Sequence, residues 1–227
     1  MESPTKIHKL SAAGGVLAIL YIVGLLGISN LLPIPRGYFV ALSPLHLIIC
    51  FLVVSVSHHI SQRIFIHPYL IVWAWIIAVS GFIIEIIGIN TTYPFGEYYY
   101  GETLGFKCFD VPLVIGINWL MLTYSTRCLL DQFYHLSWIS KSLLGGLIMV
   151  CLDVFIEPIA QDLGYWSWME PAESLIVAPY QNYLSWFVIS AIFIAISYRL
   201  LPNKINNYVA IVNLLLQFLF FIFLNLI

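Results

Sequence analysis

Cys151-Leu152-Asp153-Val154-Phe155-Ile156-Glu157-Pro158, followed closely by Gly164-Tyr165-Trp166-Ser167-Trp168, decides how this chain is read. The apolar run that holds it, 138–159, is long enough to cross a bilayer as a helix. Asp153 and Glu157 stand four residues apart, so they share one helical face inside hydrocarbon. An ionisable side chain at that depth costs about 2.5–3.5 kcal/mol on insertion scales. Such residues face a bundle interior or a wet cavity, so two on one face point to a shared site.

Composition agrees with a membrane setting throughout. Of the 227 residues 61% are hydrophobic and 9% are charged, and mean hydropathy is +0.95. An average soluble domain is about 25% charged. The net charge of -2 offers no basic footprint for nucleic acid. Cys50, Cys108, Cys128 and Cys151 are scattered, with no paired spacing, and read as packing residues.

Outward from 138–159, further apolar runs fall at 12–32, 39–57, 69–89, 111–130, 183–201 and 208–227. The fold class expected is therefore all-α: a polytopic bundle of about seven transmembrane helices forming one integral membrane domain over 1–227. Pro33 and Pro35 stop the first span, Pro112 is placed to start the fourth, and Pro158 marks the end of the fifth. Asn213, Gln217 and Asn225 in the last span are expected to hydrogen-bond between helices. With the N-terminus cytoplasmic, Lys6, Lys9, Arg63, Arg127, Lys141, Arg199 and Lys204 fall inside. Only Arg36 and Lys107 fall outside, as the positive-inside rule asks. Glu97, Glu102, Asp110, Asp162, Glu170 and Glu173 go to the outer connections.

This threading sets depth. The third span rises outward to about Ile89, which puts Glu85 about 6 Å below its end. Asp153 and Glu157 lie within about 9 Å of the outer end of the fifth. Glu85, Asp153 and Glu157 thus share a layer in the outer half of the membrane. Above it run two long aromatic connections, one through Tyr93, Pro94, Phe95, Gly96, Tyr98 and Tyr100, the other through Trp166 and Trp168 to Pro179 and Asn182. Their Pro and Gly content predicts a shaped cap folded over the acids, with ring faces suited to an apolar substrate and to a positive centre.

These residues also carry a family resemblance. Glu85-Ile-Ile-Gly88, Pro94-Phe95-Gly96-x-Tyr98-x-Tyr100, Leu104-Gly105, Val111-Pro112-Leu113, Asp153-x-x-x-Glu157-Pro158, Trp166-x-Trp168 and Pro179-x-x-Asn182-x-x-x-Trp186 together resemble the membrane-embedded carotenoid hydratases of the CruF type. That family includes the bisanhydrobacterioruberin hydratases. The likeness covers residues 80–190 in several separated motifs in the same order. It implies addition of water to the terminal double bond of an acyclic (psi) carotenoid end, giving a tertiary alcohol without a cofactor or metal. It implies catalytic roles for Asp153, Glu157 and Glu85. Substrate binding would fall to Tyr93, Phe95, Tyr98, Tyr100, Asp110, Trp166, Trp168, Asn182 and Trp186. The partners implied are the carotenoid, water and the lipid bilayer. Two departures stand out: the family often has Gly where this chain has Thr92 and Asp110, and these bear on end-group preference.

The residues support that chemistry on their own. Hydrating an unactivated alkene needs a strong proton donor, and a carboxylic acid among apolar walls can serve. Protonation at C2 leaves a tertiary cation at C1. A second carboxylate stabilises it and takes a proton from the attacking water. Asp153, the deeper of the pair, is the expected acid, with Glu157 or Glu85 as base.

Other constellations carry less. His58-His59, with His8, His46, His67 and His135, are too sparse for the histidine boxes of a di-iron oxygenase. The last span has no lysine for a retinal Schiff base. Asp153-x-x-x-Glu157 could hold Mg²⁺ on a prenyl diphosphate, but a second acidic motif is lacking. A carotenoid end-group cyclase and a proton-relay transporter stay open beside the hydratase.

Overall fold

The computed structural model describes residues 4–62, 68–169, 176–201 and 204–227, with the side chains of 4–7 and 62 left aside. Arg63, His67, Glu170 and Glu173, together with the Lys6 side chain, lie outside the described residues. Helices in chain order are α1 (Pro4–Ile28), α2 (Arg36–Ala41), α3 (Ser43–Gln62), α4 (Pro68–Thr91), α5 (Val114–Leu130), α6 (Trp138–Asp162), α7 (Tyr180–Leu200) and α8 (Tyr208–Leu226). Between them lie four short strands, β1 (Tyr98–Tyr100), β2 (Lys107–Cys108), β3 (Val111–Pro112) and β4 (Trp166–Trp168).

Among the described residues six helices, all but α2 and α5, are long and apolar enough to cross a membrane. The chain is a multi-pass membrane helix bundle. The fourth expected span, α5, has 17 residues and is buried on nearly every side. At about 1.5 Å per residue it is short for a crossing but suits a central post that never meets lipid. It packs on α4, α8 and α3, and α6 pairs most extensively with α7. Close approach explains that pair: a Cβ on Gly146 would come 2.7 Å from the Phe187 carbonyl oxygen. In lipid, where no hydrophobic force drives helices together, small residues allow the packing that does. Large apolar side chains such as Ile19, Leu52, Trp75, Ile83 and Leu184 cover the outside.

Several sequence expectations are corrected. The second span begins at Ser43, because Arg36–Ala41 forms a separate short helix. Pro112 does not start a helix. Its ring pushes Val111 into an extended conformation, and Val111–Pro112 pairs as a strand with Lys107–Cys108 before α5 begins. Pro158 lies inside α6, which runs on to Asp162. Cys50 and Cys128 are core residues, whereas Cys108 is partly exposed and Cys151 is exposed. Asn213 and Asn225 do bond between helices, to Tyr21 at 3.2 Å and to the Phe155 carbonyl at 2.8 Å. The carbonyl oxygen of Gln217 has no such partner.

The two outer connections meet as a ribbon. β1 and β4 pair antiparallel, with Tyr98 opposite Trp168, Tyr99 opposite Ser167 and Tyr100 opposite Trp166. Strand alternation then sorts the rings. Tyr98, Tyr100, Trp166 and Trp168 turn toward the bundle, and Tyr99 is exposed. The ribbon needs a bare backbone at Gly101, whose N–H donates to the Tyr165 carbonyl at 2.9 Å. A Cβ there would run into the carbonyl oxygen of Gly164.

Candidate active site

Under the ribbon all three carboxyl groups are buried. Glu85 stands six residues from the end of α4, and Glu157 five from the end of α6. Both therefore lie about 8–9 Å below their helix ends, with Asp153 one turn deeper.

Glu85 accepts three hydrogen bonds. The hydroxyls of Tyr98 and Tyr100 donate to its Oε2 at 2.5 and 2.9 Å, and Trp119 Nε1–H donates to Oε1 at 2.9 Å. Burial and the nearby Glu85 push both phenol pKa values up, so these tyrosines remain donors. Glu157 also accepts three. Trp168 and Trp166 donate to its Oε2 at 2.7 and 3.1 Å, and Asn182 Nδ2–H donates to Oε1 at 3.3 Å. The same Asn182 amide donates to Asp153 Oδ2 at 2.7 Å. Asp153 Oδ1 is buried and unpartnered. The period-two sequences Tyr-Tyr-Tyr and Trp-Ser-Trp thus deliver four polar ring tips, two to each glutamate.

Beside these groups lies a cavity of about 300 Å³. Glu85, Glu157, Phe95, Tyr98, Tyr100, Trp166, Trp168, Asn182 and Trp186 line its acidic end. Ile19, Val23, Leu42 and Leu45 line the other side and are also exposed on the outside of the bundle. The hollow therefore runs from the acids toward the lipid-facing surface beside α1 and α3. It is large enough for one end of an extended apolar molecule, at the small end of ligand pockets, which run from about 300 to 1,000 Å³.

Asp153 does not line the cavity. It sits behind Glu157, linked through Asn182, so the groups placed to touch a ligand are Glu85 and Glu157. Tyr93 and Asp110 are not brought to the cavity: both lie on the outer surface and not on its wall. Tyr93 is 70% exposed. Asp110 follows Phe109 in the two-residue turn between β2 and β3, and both have positive φ, 51° and 61°. That is the backbone of a type I′ hairpin, in which Asp is a turn former. Thr92, with φ 62°, occupies the left-handed position just past α4. The two positions where the resembled family often has Gly are thus positions where the backbone favours Gly. Thr92 and Asp110 accept left-handed strain that Gly would avoid.

Sequence reasoning missed Trp119. Its ring stacks on Trp186 with centroids 4.5 Å apart and 27° between planes, so it braces Glu85 and also walls the cavity. A tryptophan in an apolar run carries no signal of its own, but the neighbouring Asn118 does, as an amide inside a span. Ser43 and Tyr165 were missed too. Their hydroxyls bond at 2.6 Å and tie the start of α3 to the ribbon. An ion pair between Arg36 and Asp162 ties α2 to the end of α6.

Bisanhydrobacterioruberin hydratase of Haloarcula japonica is 31% identical to the chain over 109 residues, 46% of this chain and 36% of that protein. The match thus spans about a third of the relative's length. No solved structure matches. A family model described as "Carotenoid biosynthesis protein" matches residues 43–227. With most of its length matched, the chain belongs to the carotenoid biosynthesis protein family.

Proposed function

We propose that this protein adds water across the terminal C1=C2 double bond of an acyclic (psi) carotenoid end group, working without a cofactor in a membrane that it enters with its N-terminus cytoplasmic. The observation that carries the reading is one apolar cavity walled by two buried glutamates, each held by three neutral donors, with a third carboxyl behind one of them.

The polyene enters from the lipid side between α1 and α3 and presents its end to the acids. Glu157 is the donor. Its Oε1, bonded only at 3.3 Å, has room for a proton that its doubly bonded Oε2 lacks. The proton adds to C2, the π pair forms the new C–H bond, and the positive charge falls on C1. Faces of Trp119, Trp186 and Tyr98 stabilise that cation. Water attacks C1, and its proton passes to Glu85, whose three donors all lie within 2.9 Å, where those of Glu157 reach 3.3 Å, and so suit it to act as the base. The sum is alkene plus water to tertiary alcohol, with no change of redox state. One proton must then return from Glu85 to Glu157. Asp153 is a positioning residue that holds Asn182 and fixes the donor oxygen.

Expression in cells that accumulate lycopene tests this. A pigment heavier by one water supports hydration, and an isomer of unchanged mass would instead make the same acids those of a cyclase. Loss of the heavier pigment in Glu157→Gln and Glu85→Gln, at parental protein levels, would tie the reaction to the cavity.

A further inference from the structure

The cavity wall also carries polar groups to which the proposed reaction assigns no role. Gln217 of α8 and Asn118 of α5 both line it, and α5 and α8 pack together. Gln217 is 4% exposed and its Oε1 has no hydrogen-bond partner; the Oδ1 of Asn118 is likewise buried and unpaired. One turn below Gln217, Asn213 accepts a bond from Tyr21 at 3.2 Å and leaves its Nδ2 unpaired. Tyr21 and His46 complete the lining, ring against ring at 4.8 Å, with His46 Nε2 and Cys50 Sγ 3.5 Å apart.

An unpaired amide oxygen inside a membrane protein is costly, because nothing repays its loss of water. Apolar residues would remove that cost. Two such oxygens facing one cavity, among wall positions such as Leu20, Ile28, Phe39 and Phe220, mark a place built to receive a donor. No Asp, Glu, Lys or Arg is among these groups, so the donor need carry no charge.

We propose that Asn118 and Gln217 form a subsite for a neutral hydroxyl: a water can donate one O–H to each amide oxygen, and an alcohol donates its single O–H to one of them. It rests on the reading of this cavity as the carotenoid site. Two sources share that chemistry: the water consumed in hydration, and a hydroxyl already present on the substrate. Water held here would reach the cation at C1 from within the cavity, without the ribbon having to open. A substrate hydroxyl held here would make the site select an already oxygenated polyene.

The test uses the purified full chain in lipid vesicles, with lycopene and a lycopene that carries a hydroxyl within the reacting end group, a few carbons from its C1=C2 bond, as probes. Gln217→Leu and Asn118→Leu remove the amides without burying a new polar group, and a membrane interior tolerates the exchange. Two quantities are read: hydration rate, and the ratio of the two pigments retained after washing. If the subsite holds water, both variants slow hydration of both probes tenfold or more while the retention ratio stays parental. If it holds the substrate hydroxyl, only the hydroxylated probe slows, and its excess retention disappears. Parental rates and a parental ratio in both variants overturn the proposal. Should Gln217→Leu fail to accumulate, Asn118→Leu is read by the same measures. If the parent hydrates neither probe, the hydratase reading has failed, and retention alone decides: excess binding of the hydroxylated pigment that Leu abolishes supports the subsite, and equal binding overturns it.

Discussion

Two regions of this molecule bury carboxylates, and they do it differently. Toward the opposite end of the bundle from the ribbon, Asp131 lies against Arg127 at 2.9 Å and Lys141 at 3.8 Å. It also accepts from Tyr198 at 3.1 Å and from the Ile205 N–H at 2.9 Å. Arg127 in turn donates to Ser197 at 3.2 Å, and its guanidinium lies 3.6 Å from the centre of the Tyr198 ring. There every charge meets an opposite charge, and the cluster locks α5, α6 and α7. Glu85, Asp153 and Glu157 are held instead by neutral tyrosine, tryptophan and asparagine donors, beside an open cavity. Charge that is fully paired serves structure, whereas carboxyls that meet no opposite charge beside a cavity are candidates to exchange a proton with a ligand.

Substitution should separate the two. The largest effect on turnover is expected from Glu157→Gln and Glu85→Gln, each about a hundredfold or more, the usual range for a lost acid or base. Pigment conversion per unit of membrane protein measures it, and thermal stability should change little. Asp131→Asn should do the reverse. It leaves Arg127 and Lys141 without their counter-charge at a cost of about 3–5 kcal/mol, read as loss of folded protein with turnover per folded molecule kept.

Asn182→Leu comes next. It removes the amide bound to both Asp153 and Glu157. Losing bonds of about 1.5–3 kcal/mol each should slow conversion by about tenfold to a hundredfold while Glu85 keeps its partners. Trp168→Phe keeps the ring and deletes one N–H on Glu157, so a fall of about tenfold is expected, smaller than for Asn182→Leu in the same assay. A drop equal to that of Glu157→Gln would show the ribbon doing more than orienting the acid.

The smallest expected effect is a gain. Thr92→Gly and Asp110→Gly relieve left-handed strain of about 1–2 kcal/mol per residue, partly offset by the greater freedom of glycine in the unfolded chain. Each should raise thermal stability by about 1 kcal/mol or less, with conversion unchanged. A change in which carotenoid is used would contradict the turn role given to these positions.

How much of this was visible beforehand follows from the physics of each part. The acids were legible because ionisable residues stand out in an apolar run, and their depth followed from helical rise alone. The ribbon was not. Its strands are three residues each and pair across more than sixty positions of chain, so neither has a local signature, though Tyr98-Tyr99-Tyr100 and Trp166-Ser167-Trp168 alternate as a ribbon requires. Asp110 entered the site through the resemblance, and its place in a hairpin turn, with φ of 61°, has no signature in the sequence. Trp119 was passed over because an apolar run hides a ring whose N–H has work to do. Asp153 was taken as the acid from depth; what depth could not give was the cavity wall, which places Glu157 in front of it.

The most direct test of the central claim follows where the new hydrogen and oxygen come from. The protein, given lycopene in deuterated, heavy-oxygen water, should yield an alcohol with one carbon-bound deuterium next to the carbinol carbon and its oxygen drawn from that water. A product without carbon-bound deuterium, or with oxygen taken from dioxygen, would contradict protonation by the cavity acids.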